Sequence, residues 1–376
     1  MHKGARHMSY SVEADIAGAA TLDPHFYRDE VAYASARERI FARSWQWIGH
    51  LGDIRSPRSL APRDLLPGVL DVPLLLARDA DGALRCLSNV CTHRGNILVT
   101  KPCNANEIRC GYHSRRFDLA GRMTFMPEFA QARGFPSAAD NLPEVPLAVW
   151  ADHGFASLDP VAPFAAFFDE LAARIDGMPV GHYVHDPSRD RDYTVHAHWA
   201  LYVENYLEGF HIPFVHGQLN EIVDYGSYAI DLHRYSSLQV ALAKPGELAF
   251  DARHRAADRD QRVAALYGWV FPNLMLNFYP WGLSLNLVVP EGVDRTRVSF
   301  RSYVGDAEKL DKGAGGLLDR VEKEDEAIVE AVQRGVGSRL YRGGRYSPTR
   351  ESGVHHFHRL LCEFMNATGS RPDAER

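Results

Sequence analysis

Two short cysteine–histidine pairs constrain the fold of this chain more than any other feature of its sequence. The first is Cys91-Thr92-His93 and the second is Cys110-Gly111-Tyr112-His113, with sixteen residues between them. Two thiolates and two imidazoles suit either a tetrahedral zinc ion or a [2Fe–2S] cluster that carries both histidines on one iron. Each pair is predicted to lie on a loop between short strands.

The spacing of these pairs favours the iron–sulfur cluster over zinc. A C-x-H pair is tighter than the C-x2–4-C knuckle that is usual in structural zinc sites. Two matched loops can instead place both cysteines on one iron and both histidines on the other, with Gly95 and Gly111 allowing close backbone approach to the bridging sulfides. The alternatives are a structural zinc site or cysteines packed in a core. Cys86 and Cys103, which lie nearby in the sequence, are predicted to be ordinary thiols.

A second group of possible metal ligands follows the pattern Glu-x-x-His-x4-His, formed by Glu208, His211 and His216. On one continuous helix the two histidines would point about 140° apart, so they could not share an ion. Pro213 is expected to end a helix over 199–210 and to let the chain turn between them. Two histidines then need one carboxylate to form the 2-His-1-carboxylate site of oxygen-activating ferrous enzymes.

The helix predicted over 317–334 supplies a candidate for that carboxylate. Asp325 is the single charge on a helical stripe that also contains Leu318, Val321, Ile328 and Val332. A buried carboxylate is costly unless it is paired or bound to a metal, which favours Asp325 as the third ligand over a helix-edge residue.

Other residues near these positions are given different predicted roles. Three glutamates lie off the stripe and are expected to be exposed to solvent: Glu322, Glu324 and Glu326. A competing metal site consists of His196 and His198, on one face of a predicted strand. Three late histidines are predicted to pack and to form hydrogen bonds: His355, His356 and His358.

From about Phe41 to Leu361 the chain resembles the large subunit of the Rieske non-heme iron oxygenases, the ring-hydroxylating oxygenase family. The resemblance rests on both metal motifs and on the run from Phe117 to Gly121 (FDLAG). It implies a cluster held by Cys91, His93, Cys110 and His113, and a mononuclear iron held by His211, His216 and Asp325. It also implies catalytic roles for Glu208 and Asn205, with Glu208 linking the iron site to a cluster histidine of the neighbouring subunit.

Three positions depart from the family pattern. Glu208 stands where most members have Asp. A minority of relatives, including those that resemble carnitine monooxygenase, also have Glu at this position. His113-Ser114-Arg115 stands in place of the usual His-Gly-Trp, and His198-Trp199-Ala200 in place of Asn-Trp-Lys. The cluster ligands themselves are unchanged, but the packing and reduction potential around the cluster are expected to differ.

The resemblance implies an α+β fold with two domains. Residues 44–158 are predicted to form a small all-β Rieske domain, rich in short strands and turns such as Asp81-Gly82. Residues 159–376 are predicted to form a helix-grip (START-like) catalytic domain with an antiparallel sheet. Residues 1–43 are predicted to contain an N-terminal leader and helices that pack on the catalytic domain. Met1–Met8 is expected to be a leader that does not belong to the natural protein.

Composition narrows the possible partners of the protein. A formal charge of −6 argues against a nucleic-acid binder, and no apolar run is long enough to span a bilayer. Five cysteines are too few for a disulfide scaffold and fit a reducing compartment, which favours the cytoplasm.

No G-x-G-x-x-G nucleotide motif and no plant-type ferredoxin run is present, so an external NAD(P)H-dependent reductase, a ferredoxin or both are expected to supply electrons.

These features predict the terminal oxygenase component of a multicomponent system. It would use the Rieske [2Fe–2S] cluster, mononuclear Fe(II) and O2 to hydroxylate or oxidatively demethylate a small organic molecule, and family resemblance implies a homotrimer. Glu208 favours a quaternary ammonium substrate by analogy. The alternatives are an aromatic cis-dihydroxylating dioxygenase and, in another class, a Rieske electron carrier with a ligand-binding domain.

Overall fold

A computed structural model describes residues 9–251 and 261–367, which form two compact units. One unit is Ala42–Val161. The other joins the described residues up to Phe41 with those from Ala162 onwards. The segment Met1–Met8 lies outside the described residues.

The unit Ala42–Val161 is built from short strands in three antiparallel sheets. Its strands are β1 (Gln46–His50), β2 (Ser59–Leu65), β3 (Val72–Arg78), β4 (Leu84–Ser88), β5 (Cys103–Asn104), β6 (Ile108–Arg109), β7 (Arg116–Phe117), β8 (Met123–Phe125), β9 (Leu147–Trp150) and β10 (His153–Ala156). The sheet orders are β1-β10-β9, β4-β3-β2-β5 and β6-β7-β8. The predicted turn at Asp81-Gly82 joins the antiparallel pair β3 and β4, with Gly82 at a φ of 89°.

The second unit contains a long antiparallel sheet. Its strands in the described residues are β11 (Val184–His185), β12 (Arg191–Val195), β13 (Ala229–Leu232), β14 (Ser236–Leu242), β15 (Val263–Val270), β16 (Leu274–Tyr279), β17 (Gly282–Gly292) and β18 (Arg295–Val304). The order is β11-β18-β17-β16-β15-β14-β13, and β12 also pairs with β18. Short apolar runs separated by turn residues predict four successive antiparallel strands at 267–271, 274–278, 283–289 and 297–304, and these correspond to β15–β18. No apolar run in the sequence predicts β14, since the buried side chains of Ser236, Ser237 and Gln239 break its apolar pattern.

Helices pack against this sheet, so the fold class is α+β, as predicted. They are α1 (Glu30–Ala36), α2 (Phe164–Arg174), α3 (Trp199–Tyr206), α4 (Ile212–Val215), α5 (Gly217–Ile222), α6 (Leu318–Val336) and α7 (Ser352–Asn366). An apolar core joins Ile212 and Leu219 of α4 and α5 to Ala265 and Tyr279 of the sheet, with Leu318 of α6 packed against it. None of the helices in the described residues is long and apolar enough to cross a membrane.

The helix predicted over 199–210 is shorter than expected. It ends at Tyr206, and Pro213 lies in the first turn of α4 rather than at the end of α3. A proline is tolerated there because the first backbone N–H groups of a helix need no partner within it. Glu208 starts the new turn, since its carboxylate accepts hydrogen bonds from the backbone N–H groups of Phe210 and His211. Glu208 and His211 therefore lie on a loop.

The start of α7 supports this loop through a close backbone contact. A Cβ atom at Gly353 would lie 2.3 Å from the carbonyl oxygen of Leu207, the residue before Glu208. Gly353→Ala should therefore lower the free energy of unfolding by roughly 1–3 kcal/mol, as is typical of overpacking. Thermal and denaturant unfolding measure this loss.

Gly335→Ala is the matched control, because a Cβ atom there meets nothing within 4 Å on α6. Replacing a helical glycine by alanine should leave stability unchanged or raise it by about 0.5–1 kcal/mol. Equal stabilities of the two variants would show that the contact between α7 and Leu207 is not tight.

Candidate metal centres

The two predicted cluster loops follow the same backbone course. In each loop the N–H of the residue four positions after the cysteine donates to the cysteine carbonyl, from Gly95 to Cys91 at 3.0 Å and from Ser114 to Cys110 at 3.1 Å. Gly95 and Ser114 both adopt left-handed backbone conformations, with φ of 68° and 60°. The residue of the second loop that is equivalent to Gly95 is therefore Ser114.

The four predicted cluster ligands converge at the tips of these loops. Cys91 and Cys110 are each 2% exposed, and their thiols interact with each other. The rings of His93 and His113 are partly exposed, with centroids 4.7 Å apart and planes at 73°. The cysteines thus face the interior of the unit, and the histidines face its surface.

The donor set fits a [2Fe–2S] cluster. Both cysteines are free thiols, and the buried Nδ1 atom of His113 has no hydrogen-bond partner. Burial raises the pKa of the Cys91 thiol. Burial would also raise the pKa of Cys110, but hydrogen bonds to its sulfur, led by the backbone N–H of Tyr112, lower it overall. N–H donors aimed at sulfur stabilise a thiolate, which is the form that binds iron.

The predicted mononuclear site is also assembled. His211, His216 and Asp325 each offer one ligand atom, and these atoms lie within 4.8 Å of one another. Asp325 Oδ1 is 3.0 Å from His216 Nε2 and 3.6 Å from His211 Nε2. Two imidazole nitrogens and one carboxylate oxygen around a common point match the donor set of a non-heme ferrous site. The donors therefore fit Fe(II).

The Nδ1 atom of each imidazole, which is the nitrogen that does not face Asp325, has its own carboxylate partner. His211 Nδ1 lies 2.6 Å from Glu208 Oε1, and His216 Nδ1 lies 2.8 Å from Glu324 Oε2. Burial alone would lower the pKa of His216, but Asp325 and Glu324 raise it overall. Partners of this kind orient a histidine and direct its other nitrogen towards a metal.

Asn205 contacts the third ligand directly. Its Nδ2 donates to Asp325 Oδ1 at 2.6 Å, from the last turn of α3. The amide therefore holds the carboxylate that both histidines face. This contact is consistent with the predicted importance of Asn205 and indicates that the amide positions Asp325.

None of the three glutamates of α6 that were predicted to be exposed is fully exposed: Glu322 is buried, and Glu324 and Glu326 are partly buried. Glu322 is 4% exposed and accepts a 2.6 Å hydrogen bond from Tyr202, and burial raises its pKa well above the ordinary value. Ile328 and Val332 are instead 40% and 42% exposed, so the buried face of α6 is rotated from the predicted stripe. Glu322 lies three residues before Asp325, a spacing that places both on one side of a helix. No sequence signal links Glu324 to His216, because their contact is formed between distant segments.

The competing pair of histidines does not form a site. The strand β12 ends at Val195, and beyond it His196 is exposed whereas His198 is buried. Burial lowers the pKa of His198 to about 3, and its Nδ1 accepts a hydrogen bond from the N–H of Ala200 at the start of α3. Within residues 9–251 and 261–367, only His211, His216 and Asp325 form a metal-sized group of three ligands.

The remaining cysteines and histidines have structural surroundings. Cys86 and Cys103 are free, and burial raises the pKa of Cys86 to about 12. His355 Nε2 lies 2.7 Å from the carbonyl of Glu13, and His358 lies 2.6 Å from the hydroxyl of Tyr346. The hydrogen-bonding role predicted for these two histidines is confirmed.

A cavity adjoins the three ligands. Five tyrosines line it: Tyr202, Tyr206, Tyr228, Tyr267 and Tyr279. Glu208, Glu322 and Asp325 add acidic groups, and no lysine or arginine is among its described lining residues. Aromatic residues on the helix before His211 and on the sheet predict an aromatic pocket, but four of them are not in the lining: Phe210, Phe271, Phe278 and Trp281.

Replacement of Glu324 tests the contact that the sequence did not reveal. In Glu324→Gln, His216 loses its anionic partner, so the affinity for Fe(II) should fall about 10–100-fold. Metal titration of the apoprotein measures this. Glu308→Gln, at an exposed glutamate ahead of α6, is the control and should bind Fe(II) as the unaltered protein does. Equal affinity of both variants would rule out this role for Glu324.

Two family models match the chain. The model for the Rieske [2Fe-2S] domain matches residues 44–145, and the model for the ring hydroxylating alpha subunit (catalytic domain) matches residues 182–367. The two matches cover the cluster loops and the mononuclear site, respectively.

Full-length relatives and solved structures agree with these matches. The chain is 31% identical to chloroplastic choline monooxygenase of Arabidopsis thaliana, over 91% of this chain and 82% of that protein. It is 30% identical to the carnitine monooxygenase oxygenase subunit of Escherichia coli K12, over 92% and 94%. A crystal structure of a quaternary ammonium Rieske monooxygenase superposes with a TM-score of 0.75, at 23% identity, over 94% of this chain and 100% of that one. Naphthalene 1,2-dioxygenase from Rhodococcus sp. shares the fold, with a TM-score of 0.66 at 19% identity over 92% of this chain and 94% of that one.

The chain belongs to the Rieske non-heme iron oxygenases, the terminal oxygenases that use a [2Fe–2S] cluster, a mononuclear iron and O2.

Proposed function

We propose that His211, His216 and Asp325 hold the mononuclear Fe(II) of a quaternary ammonium monooxygenase. The observation that carries this proposal is the convergence of the three ligand atoms beside a tyrosine-lined, acidic cavity. In the same proposal Cys91, His93, Cys110 and His113 hold the cluster. Residues 44–158 then act as the cluster domain and residues 159–376 as the catalytic domain.

The residues around the proposed iron would keep its ligands in place. Asn205 holds the Asp325 carboxylate, and Glu208 and Glu324 orient the two histidines. When bound, iron supplies the one-electron chemistry that activates O2. The cavity then positions a substrate C–H bond beside the ligands and limits the access of water.

The lining of the cavity supports a cationic substrate. Tyrosine faces attract quaternary ammonium groups through cation–π interactions. Burial raises the pKa of Tyr206, Tyr228 and Tyr279 well above the ordinary value, so these phenols remain neutral. The Glu208 carboxylate adds favourable charge to the lining, and relatives at 30–31% identity act on choline or carnitine. We therefore infer a small trimethylammonium compound as the substrate.

The proposed reaction is a mono-oxygenation. One oxygen atom of O2 replaces a substrate C–H bond by C–OH, and the other leaves as water. Two electrons and two protons balance the reaction. Insertion at an N-methyl group gives a hydroxymethyl ammonium product, which breaks down to formaldehyde and the demethylated amine.

The electrons must come from outside this chain. We infer an NAD(P)H-dependent reductase, with or without a ferredoxin, as the donor, and a homotrimer in which one subunit's cluster docks beside the next subunit's iron. Exposed aromatic side chains on both surfaces support such docking: Tyr112 next to His113, and Phe210 and Phe214 next to Glu208. The free cysteines fit a cytoplasmic location.

Product analysis across a substrate panel tests the proposed activity. With a surrogate reductase, a small trimethylammonium compound should stimulate O2 uptake and yield a hydroxylated product, or formaldehyde with the demethylated amine. Asp325→Ala is the control: it should abolish product and lower the iron content from three to two per chain, while the visible spectrum of the cluster remains. Stimulation only by aromatic compounds, with accumulation of cis-diols, would overturn the proposed substrate class.

A second test concerns the route of the electrons. Glu208 binds His211 Nδ1, and we propose that it also reaches His113 of the partner subunit. Glu208→Gln, loaded with saturating Fe(II), should carry three irons per chain but slow cluster oxidation in a single turnover about 10–100-fold, since the charged link is lost. Cluster oxidation at the unaltered rate would exclude the bridge.

A further inference from the structure

Arg115 is a buried cation two residues after the predicted cluster ligand His113. Its side chain is 2% exposed. Its backbone belongs to the second cluster loop, because its carbonyl accepts a 2.8 Å hydrogen bond from the N–H of Cys110. The guanidinium is therefore attached to the same short turn as two of the cluster ligands.

Asp140 neutralises this cation and connects it to the other cluster loop. Arg115 Nη2 lies 2.5 Å from Asp140 Oδ1, while Ser137 donates its backbone N–H and hydroxyl to Asp140 Oδ2 at 2.7 and 3.0 Å. The carbonyl of Asp140 accepts a 2.8 Å hydrogen bond from the hydroxyl of Thr92, which lies between Cys91 and His93. The ion pair thus joins the two loops through defined contacts.

The neutralisation of Arg115 is incomplete. The guanidinium carbon lies 5.9 Å from the ring centroid of Phe117 and 5.6 Å from that of Phe135, and the buried Nε atom has no hydrogen-bond partner. The side chain of Asp140 is 21% exposed, so water screens the anion better than the cation. The positive charge of Arg115 is therefore only partly compensated by Asp140.

We propose that Arg115 raises the reduction potential of the Rieske cluster and that Asp140 moderates this effect. Reduction adds one electron from an external one-electron donor, and hence one negative charge, to the cluster. A buried cation stabilises that charge, because electrostatic interactions are stronger in a protein interior than in water. Potentials of iron–sulfur clusters respond to such charges. The inference rests on the proposed cluster ligands.

Redox titration of purified, cluster-loaded variants tests the proposal, with the [2Fe–2S] EPR signal as the readout. Arg115→Gln should lower the midpoint potential, so that a donor at fixed potential reduces a several-fold smaller fraction of the clusters. Arg115→Lys should give a smaller shift in the same direction. Asp140→Asn should shift the midpoint upwards. Arg122→Gln changes the same charge at a side chain that is 76% exposed, and its midpoint should stay close to that of the unaltered protein.

Opposite shifts for Arg115→Gln and Asp140→Asn separate an electrostatic role from a structural one, which would disturb the cluster in both variants. An unchanged or higher midpoint in Arg115→Gln overturns the proposal. If that variant assembles no cluster, Asp140→Asn decides, and a midpoint at or below that of the unaltered protein overturns it. If the unaltered protein shows no EPR signal of a histidine-ligated cluster, the ligand assignment fails instead.

Discussion

The carboxylate of Asp325 lies where three separate parts of the chain meet. It projects from α6, Asn205 of α3 donates to it, and His211 and His216 approach it from the segment that follows α3. A buried anion is unfavourable unless donors or a metal ion compensate its charge. Glu208 and Glu324 bind the Nδ1 atoms of the two histidines, and Glu322 lines the adjoining cavity. This concentration of acidic groups around two histidines is the arrangement that a divalent cation stabilises.

The packing of the catalytic unit maintains this arrangement. Because α3 ends at Tyr206, Glu208 and His211 lie on a loop. The backbone at Gly353 packs closely against Leu207 at the start of that loop. The sheet supplies Tyr267 and Tyr279 to the cavity, and α3 supplies Tyr202 and Tyr206. Ligand geometry and substrate environment therefore depend on the same contacts between helices and sheet.

The two cluster loops are stabilised mainly by local contacts. Each loop is a short turn with its own hydrogen bonds, and two left-handed residues give both turns the same course. The ion pair of Arg115 and Asp140 spans the two loops. Arg115 stands where the family usually has tryptophan, so this position carries a charge. Burial keeps that charge beside the two loops and away from water.

The sequence by itself determined the local chemistry of this protein. The Cys-x-His and Cys-x-x-His pairs, Asp325 within an apolar stripe, and the Glu-x-x-His-x4-His pattern were all recognisable, because ligand type and short spacing are properties of the chain. The strands β15–β18 were also predictable, since apolar runs and turns alternate there. Only the tertiary structure decided the rotation of α6, which buries Glu322 and exposes Ile328 and Val332, and the pairing of Glu324 with His216. These features depend on which surfaces of distant segments pack together, and helical periodicity alone carries no information about that choice.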